Sequence, residues 1–192
     1  EQCVYEVPHP GKQNLLLHLL RDTAMQMVLI FTRTKHGADR VARRLEQSGI
    51  TTATLHANRS QNQRIRALRD FKAGTVRVLV ATDIAARGID VEGISHVVNF
   101  DFPPHPEDYV HRIGRTGRAK AVGDAISFVT SEDRAPLRSL EKFIGRGIPR
   151  KHAPITMSAS EEPTGPRPSR PLHHEPVAAK SPSKGIRRFF GR

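Results

Sequence analysis

The strongest chemical signal in the chain is the stretch at residues 111–118, which reads HRIGRTGR. Three arginines and two glycines in eight residues do not build a hydrophobic core. Arginine is always charged at neutral pH, and its planar fork matches the oxygens of a phosphate. Arg115 and Arg118 are three residues apart, so on a helical turn both side chains project in roughly the same direction. The stretch therefore predicts a pair of cations offered to a polyphosphate. The alternative is a solvated basic surface.

The composition of the chain points to a polyanionic partner. Its net charge is +12 and its pI is about 10.8 over 192 residues, a length that suits one domain of ordinary size and a tail. Cys3 is the single cysteine, which excludes an internal disulfide framework and predicts a cytoplasmic protein. No apolar run approaches the roughly 18 to 20 residues of a membrane span, so we expect no membrane partner.

Composition changes sharply near Lys151. Seven of the 14 prolines follow that residue, together with seven Lys or Arg and three Glu. A segment of this kind buries too little apolar surface to offset its ordering entropy. We therefore predict a folded domain over 1–151 and a disordered, Pro-rich, basic tail over 152–192. The last nine residues, KGIRRFFGR, suit loose contact with RNA through charge and stacking, although a merely solubilising tail is equally open.

Strand and helix patterns alternate along the first 150 residues. Helical patterns occur at 12–21, 35–47, 61–72, 106–112 and 132–143, and those at 35–47, 61–72 and 106–112 have residues typical of a helix end. Short apolar runs typical of strands occur at 4–7, 28–31, 51–55, 76–81, 96–100 and 125–129. This alternation at short intervals predicts an α/β fold, in which a parallel sheet carries helices on both faces.

Polar residues follow three of the predicted strands directly. They are Thr32 to Thr34 after the second strand, His56 after the third, and Thr82 with Asp83 after the fourth. In parallel sheets of this kind, ligands bind at the carboxyl ends of the strands. The sequence therefore predicts a functional rim at that edge.

Four segments resemble, in order and spacing, the motifs of one family, the DEAD-box RNA helicases. LIFTRT at 29–34 resembles motif IV, QNQR at 61–64 the Q-x-x-R element, ATDIAARGID at 81–90 motif V, and HRIGRTGR motif VI. The resemblance covers about residues 1–150, and the wording around motif IV is most similar to the bacterial RhlE-type branch. It implies a RecA-like domain, the second of the two lobes that form a helicase core.

The resemblance implies a nucleotide-facing set of residues. ATP binds in the cleft between the lobes in this family, with Arg115 and Arg118 as arginine fingers on the γ-phosphate and Asp90 accepting hydrogen bonds from the ribose hydroxyls. His111 would couple the nucleotide to the facing lobe, and Arg87 would pair with acidic groups across the cleft. The residues leave other interpretations open: a turn-capping Asp90, an ordinary structural hydrogen bond for His111, and a local salt bridge for Arg87.

A second set implied by the resemblance would contact RNA. Arg33, Arg64 and Thr82 match the family's contacts to the phosphate backbone, which carries no sequence information. Gln61 would either hold Arg64 in place or touch the backbone itself. Arg64 near the start of a helix opposes the helix dipole, a mild cost that hints at a ligand, although a surface arginine with no role is the alternative.

The chain departs from the family pattern at one position and lacks two motifs. Ala57 follows His56 where the family has Gly, which puts a close approach of RNA to that loop in doubt. The sequence contains neither a G-x-x-x-x-G-K-[ST] phosphate loop nor an Asp-Glu-Ala-Asp box. We assign no metal site to it and expect ATP with Mg²⁺ to be bound mainly by an N-terminal RecA-like lobe.

These observations leave three functions to compare. The first is the second lobe of an ATP-dependent RNA helicase, inactive as an ATP hydrolase by itself. Because the first residue is Glu1 and not Met, we expect a piece of a longer polypeptide or a processed chain. Its partners would be RNA, the N-terminal lobe and ribonucleoprotein complexes. The second is a DNA-directed or DEAH-type relative, against which His111 argues. The third is a non-enzymatic RNA-binding or chaperone module.

Overall fold

The computed structural model describes residues 1–86, 89–116 and 123–153. Their strands are β1 (Gln2–Glu6), β2 (Val28–Phe31), β3 (Thr52–Leu55), β4 (Val78–Ala81), β5 (His96–Asn99), β6 (Asp124–Val129) and β7 (Arg150–His152). Their α-helices are α1 (Lys12–Leu19), α2 (Lys35–Gln47), α3 (Gln61–Lys72), α4 (Asp83–Ala86), α5 (Pro106–Ile113) and α6 (Arg134–Ile144). Two short 3₁₀ turns cover His9–Gly11 and Ser131–Asp133. None of the described helices is long and apolar enough to cross a membrane.

The strands form one sheet in the order β3-β4-β2-β5-β6-β1-β7, and every neighbouring pair is parallel. Side chains alternate between the faces: Ile30 and Val80 pack with α1 and α2, while Leu29 and Leu79 pack with α3. A third apolar cluster joins α5 and α6 to β1 and β6. The predicted α/β fold, a parallel sheet with helices on both faces, is confirmed.

Local signals explain where the two helices nearest the predicted rim begin. Thr34 caps α2 by accepting a hydrogen bond from the amide of Gly37 at 3.0 Å. Ser60 caps α3 in a reciprocal capping box with Gln63. Both helices have the bounds that the sequence predicted, because cap and apolar periodicity agree there.

Other elements differ from the prediction. The helix predicted at 132–143 is divided into a 3₁₀ turn and α6, since Asp133 bonds back to the amide and hydroxyl of Thr130. Neither α4 nor β7 was predicted: α4 is a single turn, and β7 is a short, exposed edge strand without apolar residues. Because β7 ends at His152 and Ala153 packs against the core, the described fold extends two residues past position 151. The predicted tail beyond Ala153 lies outside the described residues.

One buried arginine fixes α5 to the sheet. Arg112 is 3% exposed, and its Nε and Nη2 donate to the two carboxylate oxygens of Asp83 at 2.6 and 2.8 Å. Its Nη1 donates to the side-chain oxygen of Asn99 at 3.1 Å and to the carbonyl of Asp101 at 2.7 Å. The guanidinium also lies 5.1 Å from the centre of the Phe31 ring. Arg112 therefore joins α5 to the carboxyl ends of β2, β4 and β5.

Loss of Asp83 should destabilise the domain strongly. Asp83→Ala leaves the buried guanidinium without its carboxylate, and we expect the free energy of unfolding to fall by about 3 kcal/mol. Urea denaturation followed by circular dichroism measures the loss. In the double variant Arg112→Met/Asp83→Ala the charge is removed with its partner, so the combined loss should be smaller than the sum of the two single losses. Strictly additive losses would contradict this account.

Candidate functional site

Polar residues at the ends of three strands lie along one edge of the sheet. The last residues of the strands are in register: Leu55 pairs with Ala81, and Ala81 with Phe31. The hydrogen-bond ladder continues past these residues. The amide of Thr82 donates to the carbonyl of Leu55 at 3.2 Å, and the amide of Thr32 donates to the carbonyl of Ala81 at 3.0 Å. The structure therefore brings the predicted rim together along the carboxyl edge of β3, β4 and β2.

Arg33 presents its guanidinium from a fixed backbone. Its amide donates to a carboxylate oxygen of Asp101 at 2.9 Å, while its side chain is 62% exposed. Among the described residues, the guanidinium has only weak contacts, to the carbonyl of Phe102 at 3.4 Å and to a carboxylate oxygen of Asp133 at 3.8 Å. A residue held by its backbone but loosely held at its charged end remains able to bind an anion.

Asp101 joins the surroundings of Arg33 to those of α5. One carboxylate oxygen accepts from the Arg33 amide, and the other lies 3.3 Å from the ammonium of the buried Lys12. Its backbone carbonyl accepts from Arg112. Displacement of this one residue would disturb both Arg33 and α5.

The start of α3 carries Gln61 and Arg64. Gln61 is exposed and Arg64 is half-buried. Within the described residues no hydrogen bond joins the two side chains, so this structure does not contain the bracing of Arg64 by Gln61 that the sequence left open. The ion pairs between described residues also leave Arg64 out. Its positive charge near the start of a helix is therefore not balanced by a carboxylate of the described fold.

The loop between β3 and α3, residues 56–60, is tied to α2. One carboxylate oxygen of Asp39 lies 3.0 Å from Nε2 of the buried His56 and 2.7 Å from Nη2 of Arg59. The ammonium of Lys35 donates to the side-chain oxygen of Asn58 at 3.0 Å. Partial burial alone would raise the pKa of Asp39, but the hydrogen bond with His56 and the charge of Arg59 outweigh it and lower this pKa. The loop is thus bonded to α2 through His56, which precedes Ala57, and through Asn58 and Arg59, which follow it.

The other half of the candidate site lies where α5 ends. Arg115 donates from Nε to the carbonyl of His111 at 3.3 Å and from Nη1 to the carbonyl of Ile89 at 3.0 Å. The exposed Asp90 directly follows Ile89, and it lines a separate hollow with Leu68 and Lys72 of α3. His111 is exposed and lines a small pocket with Asp83, Arg112 and Arg115. The predicted Arg115 and His111 therefore come together next to the anchored Arg112, whereas Asp90 is connected to Arg115 through the backbone of Ile89.

Two predicted residues, Arg87 and Arg118, lie outside the described residues. Sequence reasoning placed Asp83 on the rim but not as the partner of Arg112, and it missed the other residues that hold the site in place: Arg112, Asp39, Arg59, Asp101 and Lys12. For Arg112 a signal existed, since it lies three residues after the buried Tyr109 and one before the partly buried Ile113, on the core side of α5. The part of the chain that the structure describes contains no cluster of His, Cys, Asp and Glu suited to a metal ion.

The link between Asp39 and the loop predicts a pH-dependent stability difference. Because the pKa of Asp39 is lowered in the folded state, the stabilisation from its charge is present above the ordinary aspartate pKa of 3.8 and is lost as pH falls through the folded pKa. Asp39→Asn should lower the unfolding temperature at pH 7, and the difference from the parent chain should shrink at pH 3. Thermal unfolding at both pH values measures this, and a difference that is equal at pH 7 and pH 3 would refute the role of the charge.

Comparisons with known proteins identify the family of this chain. A family model described as the helicase conserved C-terminal domain matches residues 11–120. The chain is 45% identical to the ATP-dependent RNA helicase RhlB of Pseudomonas syringae pv. tomato over 77% of its own length and 37% of that protein. It is 42% identical to the DEAD-box ATP-dependent RNA helicase CshA of Bacillus subtilis over 84% of its own length and 33% of that protein. The chain thus spans about a third of the length of these curated relatives.

Solved structures of DEAD-box proteins are similar in fold. SrmB of E. coli, solved bound to regulator of ribonuclease activity A, superposes with a TM-score of 0.76 at 38% identity over 79% of this chain and 89% of that one. Dbp5 of S. cerevisiae, solved bound to RNA and ADP BeF3, gives a TM-score of 0.73 at 32% identity over 80% and 41% of the two chains. The more specific resemblance to the RhlE-type branch stays a prediction. The family model covers more than half of the chain and the sheet matches these domains, so this protein belongs to the helicase conserved C-terminal domain family and has the C-terminal RecA-like domain of DEAD-box RNA helicases.

Proposed function

We propose that this domain is the second lobe of an ATP-dependent RNA helicase, in which it supplies arginine fingers to ATP and half of the track that binds RNA. The relatives that it matches are named ATP-dependent RNA helicases, and a solved structural neighbour holds RNA and ADP BeF3. The hydrolytic site needs a phosphate loop and an Asp-Glu-Ala-Asp box, which the sequence lacks. A nucleotide-binding lobe must therefore supply them, together with most contacts to ATP and Mg²⁺.

The observation that carries the proposal is the hydrogen bond from Arg115 to the carbonyl of Ile89, next to Asp90. It supports an arrangement in which a guanidinium and a carboxylate face the same ligand. A guanidinium suits the γ-phosphate, and a carboxylate accepts hydrogen bonds from ribose hydroxyls. Arg118 would act with Arg115, while His111 and Arg87 would face the nucleotide-binding lobe.

Phosphoryl transfer depends mainly on positioning and on charge stabilisation in the transition state. Arg112 is already occupied by Asp83, Asn99 and the carbonyl of Asp101, so it serves to hold α5 and not to bind phosphate. Arg115, one turn further along, is bonded to neutral backbone carbonyls at Ile89 and His111. An approaching γ-phosphate offers a charged acceptor that competes well with such carbonyls.

The RNA track would run along the carboxyl edge of β3, β4 and β2. Arg33 and Arg64 would neutralise phosphates, Thr82 would donate its hydroxyl, and Gln61 would contact the backbone beside Arg64. In support, Arg33 is exposed with a fixed backbone, and Arg64 is half-buried at the start of α3. Contacts of this kind bind RNA without regard to sequence.

The two halves suggest how ATP and RNA act together. Closure of the cleft would bring Arg115 to the γ-phosphate while the RNA strand is bent away from its duplex, and hydrolysis would reopen the cleft. Asp101 supports this linkage, because it touches both Arg33 and Arg112. We place this activity in the cytoplasm, on free RNA or in ribonucleoprotein complexes.

The 192-residue chain by itself should show no ATP turnover above background, since it lacks the phosphate loop. When it is joined to the nucleotide-binding lobe, Arg115→Ala should lower RNA-stimulated kcat by about 10³- to 10⁵-fold, while RNA affinity stays unchanged. A phosphate-release assay measures turnover, and fluorescence anisotropy of a labelled strand measures RNA affinity. Arg146→Ala, at an exposed arginine after α6, is the matched control. Turnover by the isolated chain that Arg115→Ala abolishes would overturn the proposal.

RNA binding by the isolated chain tests the second half of the site. Arg33→Ala and Arg64→Ala should each weaken binding of a short single strand and reduce the dependence of log Kd on log salt by about 0.7, the value for one lost phosphate contact. Fluorescence anisotropy at several salt concentrations measures this. Arg138→Ala, at an exposed arginine on α6, should change neither quantity. Equal losses for all three variants would point to non-specific attraction by a basic chain and favour the chaperone alternative.

A further inference from the structure

The outer face of α2 carries a cationic stripe whose role the proposed function does not use. Four exposed residues follow one another along this face at intervals of four, three and four positions, so they lie above one another on the helix: His36, Arg40, Arg43 and Gln47. The core residues of α2 lie on the opposite side. We call these four residues, together with Arg44 at their margin, the α2 stripe.

The arginines of the α2 stripe have no ion pair within the described residues. Other surface arginines are paired: Arg59 with Asp39, and Arg66 with Asp70. Arg40 has like charges three and four residues away, a spacing that costs a helix a few tenths of a kcal/mol per pair. The helix dipole favours Arg44 in the last turn but does little for Arg40 in the middle. The fold itself therefore gives no stabilising reason for Arg40.

The α2 stripe begins where the proposed RNA track ends. Thr34, which caps α2, directly follows Arg33. On the other side, Lys35 is hydrogen-bonded to Asn58, two residues before the cap of α3. From this point α2 runs for about 20 Å at 1.5 Å per residue. Helix α2 packs on one face of the sheet and α3 on the other. The α2 stripe is therefore separated from the pocket at Arg115.

We propose that the α2 stripe is a second RNA-binding surface, which holds the phosphate backbone of the strand after it passes Arg33. Arg40, Arg43 and Arg44 neutralise phosphates, and His36 lies between them and the carboxyl edge. The surface is continuous with the proposed RNA track, and its charge is complementary to a polyanion of some length. This inference rests on the proposed function, because the track must first bring RNA to the start of α2.

The test compares two RNAs on the complete 192-residue chain. One is a labelled single strand of about six nucleotides, enough for the edge of the sheet, and the other has about eighteen nucleotides and can continue along α2. The test variant is Arg40→Gln/Arg43→Gln. The control, Arg138→Gln/Lys142→Gln, removes two exposed charges at similar spacing from α6. Both variants keep the basic tail, so any contribution of the tail to binding of the long RNA is shared.

For the longer RNA, the test variant should raise Kd roughly tenfold or more at 50 mM salt and reduce the slope of log Kd against log salt by about 1.4, two contacts at about 0.7 each. The short RNA should bind the test variant and the parent chain with the same Kd. The control variant should bind both the short and the long RNA as the parent chain does.

Equal losses on short and long RNA, or a loss no larger than that of the control, would overturn the role of the stripe. Binding of an acidic protein with no change in RNA affinity would also overturn it. Failure of Arg33→Ala to weaken the short RNA would instead refute the proposed function, so the two failures are distinguishable.

Discussion

The anchoring of Arg112 is the interaction on which the candidate site depends. A guanidinium at 3% exposure must satisfy its donors inside the protein, since a buried unpaired charge is very costly. It does so with the carboxylate of Asp83, the amide oxygen of Asn99 and the carbonyl of Asp101. These acceptors follow or end strands β4 and β5, so a single side chain fixes the end of α5 against the sheet. That contact also positions Arg115, which lies three residues after Arg112.

The site divides its arginines between two tasks. Arg112 is enclosed by a carboxylate and the Phe31 ring, whereas the side chains of Arg33, Arg64 and Arg115 are exposed or partly exposed. The distinction follows from burial, because charge-assisted bonds are worth most where water is excluded. The carboxylates act in the same way: Asp83, Asp101 and Asp39 all hold a cation or an amide of the fold.

The fold was predictable because its local signals agree with one another. Continuous apolar strands such as β2, and helices with a cap and an apolar face such as α2 and α3, left little choice but a parallel sheet covered on both sides. The motifs also led to Arg115 and His111, which line one pocket, and to Asp90, which follows the residue whose carbonyl Arg115 contacts. Residues such as Asp39 and Lys12 were not predictable, since their partners are distant in sequence and depend on loop geometry. The single-turn α4 and the polar β7 lack the periodicity that sequence reasoning needs.

In the function that we propose, the helix end anchored by Arg112 presents Arg115 to a triphosphate held by another lobe. A crystal structure of this chain joined to that lobe, with RNA and a γ-phosphate mimic bound, tests it most directly. We expect the Arg115 guanidinium to lie within about 2.7–3.1 Å of the mimic while Arg112 still binds Asp83. An Arg115 side chain still bonded to the Ile89 carbonyl, with the mimic contacted by other groups alone, would contradict it.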